Sequence, residues 1–206
     1  LAQKDVKKLV AYSSVSHLGF VMLGVFALTL QGISGGVLQM INHGLSTGAL
    51  FLVVGMLYER RHTREMSAFG GIWKVMPVFA ALTLIVTLSS MGLPGLNGFV
   101  GEFSILLGAF GAPVLNSPWF AGVATVGVIL AAVYLLVMFE KVFLGPVKVE
   151  ANRILKDLNA REIVTLLPIL ALIFWIGIYP QPFFQLINPS VERLLALVQS
   201  ASMAIH

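Results

Sequence analysis

Glu102, His17 and His43 are the residues of this sequence whose type and setting could do chemistry. Each is ionisable and each lies in a long apolar stretch: residues 9–58 hold no Lys, Arg, Asp or Glu, and residues 75–139 hold only Glu102. An ionisable group inside a membrane costs a few kcal/mol on insertion scales and usually marks a transport or proton pathway. Glu102 closes the run Leu93-Pro94-Gly95-Leu96-Asn97-Gly98-Phe99-Val100-Gly101-Glu102. Pro94 removes a backbone donor and breaks a helix, while Gly95 and Gly98 allow unwinding and close approach. Broken helices at membrane depth occur where they are buried in protein or line a wet cavity, and transporters build ion sites from them. Counted from the uncharged loop at 112–118, Glu102 is roughly 15 Å deep.

The histidines sit among small polar residues. Ser13 shares a helical face with His17, as do Gln39, Ser46 and Thr47 with His43, because neighbours recur at three and four residues. His17 is roughly 13 Å from the basic end of its stretch and His43 roughly 9 Å from the outer end of its own. An imidazole accepts a proton on one nitrogen and releases it from the other, with an ordinary pKa near 6.5. The three residues together suggest a proton relay. The competing reading is a neutralised Glu102 and two packed histidines hydrogen-bonded to backbone or Ser.

The elements that must position these groups follow from composition. The chain has 206 residues, 58% hydrophobic and 11% charged, against about a quarter charged in soluble domains. Its mean hydropathy is +0.93. This excludes a disordered chain and argues for several membrane spans of about 20 residues each. The absence of Cys excludes disulfides, thiolate metal sites and cysteine nucleophiles. The net charge of +4 would suggest nucleic acid for a soluble protein, but marks cytoplasmic loops in a membrane protein. No P-loop, metal cage or nucleophile elbow is visible, and the glycines at 92–101 are no dinucleotide fingerprint. The chain opens on Leu1 with neither Met nor a signal-peptide pattern, and is read as a piece of a longer protein.

The basic residues fall in blocks at 4–8, 60–74 and 141–161, with Arg193 apart. The apolar stretches between them predict an all-α, polytopic transmembrane helical bundle of five spans, one of them discontinuous. The spans are about 9–30, 37–58, 75–111 broken at Pro94, 119–140 and 163–179. The turn between the first two is placed at Gln31-Gly32-Ile33-Ser34-Gly35-Gly36. Placing all three basic blocks on one side requires 75–111 to cross an odd number of times. Residues 1–182 thus form the membrane module, and 183–206 an amphipathic tail that turns helical after Pro189. Other features read as structural: His62 in a charged loop, the terminal His206, Glu140-Lys141 at a membrane boundary, and Gly44-x-x-x-Gly48 as a helix-packing signal.

Three segments resemble the antiporter-like membrane subunits of respiratory complex I: Asp5 to Phe20, Met40-Ile41-Asn42-His43-Gly44-Leu45, and Met91 to Phe103. Tyr58-Glu59-Arg60-Arg61-His62-Thr63 and Phe69-Gly70-Gly71 are most similar to the M-type branch of bacterial NADH-quinone oxidoreductases, with its mitochondrial counterpart, subunit four. The resemblance runs from about Asp5 to Pro182. It implies the C-terminal half of a fourteen-helix subunit with two inverted five-helix repeats, seated in a bacterial or mitochondrial inner membrane beside the other membrane subunits of complex I. It implies proton translocation coupled to quinone reduction elsewhere, with Glu102 as the terminal acidic site and His43 and His17 linking to it. The resemblance implies no cofactor in this subunit, with NADH, FMN, iron–sulfur clusters and quinone bound by partner subunits. The first half of the family's relay is missing from this chain. A multi-subunit Na⁺/H⁺ antiporter or membrane-bound hydrogenase subunit shares the same motifs and stands as the alternative, and an inactive structural subunit as a third reading.

Overall fold

The computed structural model describes residues 2–205, and side chains from 2 to 201. His206, assigned no role from sequence, lies outside the described residues. The elements are all helical: α1 Val6–Phe26, α2 Leu30–Arg61, α3 Ile72–Val75, α4 Pro77–Ser90, α5 Asn97–Phe110, α6 Trp119–Phe143, α7 Ala160–Ile178 and α8 Gln181–Ile205, with two short 3₁₀ turns at Met66–Ala68 and Glu150–Asn152. Four of them, α1, α2, α6 and α7, are long and apolar enough to cross a membrane, and α4 and α5 are shorter apolar helices. At 14 residues each, the latter two are roughly 21 Å long, short of a hydrocarbon core of about 30 Å.

The turn between α1 and α2 is not at residues 31–36. It is at Ala27-Leu28-Thr29, where Leu28 takes the left-handed region with φ +48°. Thr29 Oγ1 caps α2 by accepting the Gly32 N–H at 3.1 Å. The glycines that look like a turn lie inside α2 and serve close approach. A Cβ on Gly35 would sit 2.7 Å from Ser104 Cβ, and one on Gly108 would overlap the backbone of Gly32. Starting α2 at Leu30 also moves His43 inward. It lies 13 residues from the helix start, roughly 20 Å along the axis instead of the expected 9 Å.

α2 is the central helix and packs most extensively on α5 and α1, then on α8, α4 and α7. At the basic end, a core of buried Phe69, Ile72, Met76, Phe79, Leu135 and Leu166 joins α3, α4, α6 and α7. The α2, α4 and α7 ends are tied there by charge. Arg60 donates to both Glu162 oxygens at 2.6 and 2.7 Å, and to the carbonyls of Met56 and Lys156 at 3.0 and 2.9 Å. Asp157 accepts from Val78 N and Phe79 N at 2.9 and 3.0 Å, capping α4 from a distant loop. Asn159 and Glu162 form a capping box on α7. Removing one partner of a largely buried, bidentate pair leaves the other uncompensated. Arg60→Met is therefore expected to lower stability by about 2 kcal/mol, and Arg60→Lys by less, because it keeps the charge and loses the fork. Thermal unfolding of the detergent-solubilised protein checks this.

Two further expectations from sequence are corrected. The tail helix starts at Gln181, not after Pro189, which lies inside it. The real break is at Tyr179-Pro180, where the Pro180 carbonyl accepts from Phe183 N and Phe184 N. Tertiary contacts hold the turns before Pro189 and offset the bond it removes: Ser34 Oγ donates to Asn188 Oδ1 at 2.8 Å, and Trp175 meets Phe183 edge-on at 5.5 Å. Gly44 and Gly48 do not mediate a helix contact among the described residues, since a Cβ at either would meet nothing within 4 Å.

A buried His–Glu pair at the helix break

Between α4 and α5 the chain unwinds over Met91–Leu96. Gly92 and Gly95 hold φ of +75° and +93°, a region that L side chains rarely enter. Asn97, fully buried, stitches the two half-helices to each other and to α2. Its Oδ1 accepts from Ser89 Oγ at 2.5 Å, its Nδ2 donates to Asn42 O at 3.4 Å, and its own carbonyl accepts from Asn42 Nδ2 at 2.7 Å. Ser46 and Ser89 hydroxyls meet at 2.7 Å. The break is thus a polar joint: the Gly92 and Leu93 N–H groups bond back to the Ser89 and Leu88 carbonyls at 3.2 and 3.1 Å, and the Asn97 carbonyl takes a side-chain donor, as buried polar groups must find partners.

Glu102 lies one turn beyond this joint, on the buried face of α5. Its Oε1 is 3.0 Å from His17 Nδ1 on α1, and both side chains are about 5% exposed (5% and 6%). Gln39 Nε2 of α2 approaches the same oxygen at 3.4 Å. The other carboxylate oxygen lies against Gly92, where a Cβ would come within 2.6 Å of it. Glycine at 92 therefore serves twice, for its left-handed backbone and for the room it leaves Glu102. Gly101 likewise lets α5 approach Gln39 and Asn42.

His43 completes the line from the other side. Its ring centroid is 5.4 Å from that of His17, and Thr47 Oγ1 is 3.1 Å from its Nδ1. Between them lies a cavity of about 10 Å³ for a water's centre, lined by His17, Asn42, His43, Ser46, Ser90 and Gly98 among others. That is about the room one water needs. Two lining atoms, Asn42 Oδ1 and Ser90 Oγ, are buried without a protein partner, so a water there would gain hydrogen bonds.

The structure therefore brings Glu102, His17 and His43 together from three helices. Pro94 and Gly95 shape the break but sit on its exposed side. Gly98 is at its inner side, packed on the Ser89 carbonyl. Sequence reading missed the linking roles of Asn97 and Ser89. The sign available was their spacing of eight residues across the proline, which puts one polar residue on each lip of the break.

Residues 1–131 match the family model described as NADH:quinone oxidoreductase/Mrp antiporter, TM. The chain belongs to this family. Among relatives of this NADH:quinone oxidoreductase/Mrp antiporter family, it is 45% identical over 195 residues to NADH-quinone oxidoreductase subunit M of Rhodobacter capsulatus, covering 95% of this chain and 37% of that protein. Respiratory complex I from Thermus thermophilus with bound NADH contains a chain with a TM-score of 0.88 and 40% identity, over 95% of this chain and 40% of that one. The Mrp complex from Dietzia sp. DQ12-45-1b has the same fold, with a TM-score of 0.82 at 20% identity, over 94% of this chain and 43% of its own. The chain thus spans about two-fifths of the length of the relatives it matches.

Proposed function

We propose that this chain is part of an M-type membrane subunit of an NADH:quinone oxidoreductase, and that it carries protons along a buried polar line while quinone is reduced elsewhere in the complex. The observation that carries this reading is the His17–Glu102 pair, buried at the helix break with 3.0 Å between its atoms. Such a pair holds one proton in either of two places. It rests on the ring as imidazolium beside a carboxylate, or on the carboxyl facing a neutral ring nitrogen. The balance between the two is set by nearby charge, because a positive neighbour favours the carboxylate and burial opposes it. A proton arriving at His43 would reach the pair through the small cavity and His17. A change of charge at either end of the line would then load or unload Glu102. The subunit itself contributes no redox step, and its partners are the other membrane subunits of the complex.

In this reading α1, α2, α6 and α7 each cross the bilayer once, and α4 with α5 make one interrupted crossing. That places the loops around Lys4–Lys8, Arg60–Lys74 and Lys141–Arg161 on one face, as the positive-inside rule favours. α8 lies at the membrane surface against α2. An Mrp-type antiporter subunit is the second reading, supported by the joint family description and the shared fold. The 40–45% identity to complex I chains favours the first.

The experiment is proton movement in sealed vesicles holding the intact complex, driven by NADH oxidation. His43→Ala is expected to slow coupled proton uptake about a hundredfold, the low end of what a positioned proton donor contributes, with the complex assembled. Full pumping by both His43→Ala and Glu102→Gln would mean that the polar line is only structural, and the proposal would be wrong.

A further inference from the structure

Gln39 shares a helical face with His43 in the sequence, yet the fold turns its amide to Glu102. Its Nε2 lies 3.4 Å from Glu102 Oε1, and its own Oε1 accepts from Asn42 Nδ2 at 3.4 Å. Gln39, Asn42 and Asn97 are all buried. The two ends of an amide are alike in shape, so its neighbours decide which way it faces.

That decision starts at the helix break. The Asn97 carbonyl can only accept, so the atom of Asn42 that meets it at 2.7 Å is the nitrogen. The second hydrogen of this nitrogen is left for Gln39 Oε1. Gln39 must then turn its own nitrogen to Glu102. Reversing either amide would set oxygen against oxygen, Asn42 on the Asn97 carbonyl or Gln39 on the carboxylate. Asn42 Oδ1 is accordingly the atom left without a protein partner, in a residue that lines the small cavity. Gly101 makes the arrangement possible. A Cβ there would overlap Gln39 Oε1 and come within 3.0 Å of Asn42 Nδ2, so the residue before Glu102 is cut back to admit the two amides. Glu102 Oε1 thus faces the Gln39 N–H as well as His17 Nδ1. A hydrogen bond donated to a carboxylate favours the charged form over the carboxyl.

We propose that Gln39 is a positioning residue: oriented from the helix break through Asn42, it holds Glu102 Oε1 toward His17 and favours the ionised pair, with the proton on the imidazole ring. When that donor is lost, the proton passes from Nδ1 to Oε1 and leaves a neutral ring and a neutral carboxyl. Asn97, Asn42, Gln39 and Glu102 form one hydrogen-bonded chain from the break to the pair. This rests on the proton-handling role proposed for Glu102, and its test separates the two.

Intact complexes carrying Gln39→Met, similar in length but without a donor, or Gln39→Asn, whose amide is one methylene shorter, are compared with the unaltered complex by infrared spectroscopy. The carboxyl C=O band of Glu102 is identified as the one lost in Glu102→Gln. The ratio of ionised to neutral pair is expected to fall about tenfold, the low end of what a hydrogen bond to a charged group contributes, so this band grows. Gln39→Asn keeps a polar side chain and serves if Gln39→Met does not assemble. An unchanged Glu102 band in either assembled variant overturns the proposal, whatever happens to turnover, because a glutamine that only packs would leave the protonation of Glu102 as it was. A larger band together with normal pumping by Glu102→Gln keeps the role of Gln39 and overturns the proton-handling reading instead.

Discussion

Glu102→Gln, placed in the full-length subunit within its complex, is expected to cut coupled proton movement by about a hundredfold or more while the complex stays assembled. The amide has almost the shape of the carboxyl. Its oxygen can take the place of Oε1, accepting from Gln39 Nε2 and, with the ring proton on Nδ1, from His17, the two contacts that Glu102 Oε1 makes at 3.4 and 3.0 Å. Packing against Gly92 is also retained. What the amide loses is the ability to take up and release a proton. A large functional loss with little structural change therefore follows from the geometry. Glu102→Asp would keep the proton but draw the carboxyl back by one methylene, out of hydrogen-bond reach of His17. It is expected to fall between the two. Proton uptake and quinone reduction measured on the same vesicles separate loss of pumping from loss of the enzyme, and an unchanged ratio in Glu102→Gln would refute the assignment.

Gly98→Ala is expected to destabilise the fold strongly, by about 3 kcal/mol. A Cβ at this position would overlap the Ser89 carbonyl and approach Gly92 Cα, both backbone atoms of the opposite lip of the break. Backbone cannot rotate away as a side chain does, so α4 and α5 would have to separate. Separation would pull Asn97 from Ser89 and Asn42, leaving buried polar atoms without partners at further cost. Gly122→Ala is the control. Gly122 is exposed on α6 and a Cβ there meets nothing within 4 Å. In an exposed helix interior, exchanging Gly for Ala is neutral or stabilises by up to about 1 kcal/mol. Thermal midpoints of the two variants in detergent test the contrast, and equal midpoints would contradict it.

Much of the break was legible. Pro94 and the glycines around it announce a broken helix, and the chain unwinds over Met91–Leu96. The turn before α2 was misplaced because Gly and Ser carry the same local signal whether they bend the chain or admit a neighbour. At Gly32 and Gly35 the second use prevails, because Gly108 and Ser104 of α5, some 70 residues away in sequence, need the room. The same error set the depth of His43. The Gly44-x-x-x-Gly48 signal failed in the opposite sense: the spacing is present, and among the described residues nothing packs on it.

The ionisable residues were also legible as individuals, since a charge or an imidazole in an apolar stretch stands out without knowledge of its neighbours. Their partners were not. His17 and Glu102 are 85 residues apart.

The sequence by itself indicated a membrane protein, basic residues gathered in blocks, one broken helix and three candidate proton groups. Hydropathy and charge are properties of each residue, and their run along the chain survives any folding. Only the tertiary structure decided that His17 pairs with Glu102 and that Asn97 joins the lips of the break to α2. Those choices depend on which helix faces meet and in what register. The faces meet through glycines whose only content is the absence of a side chain.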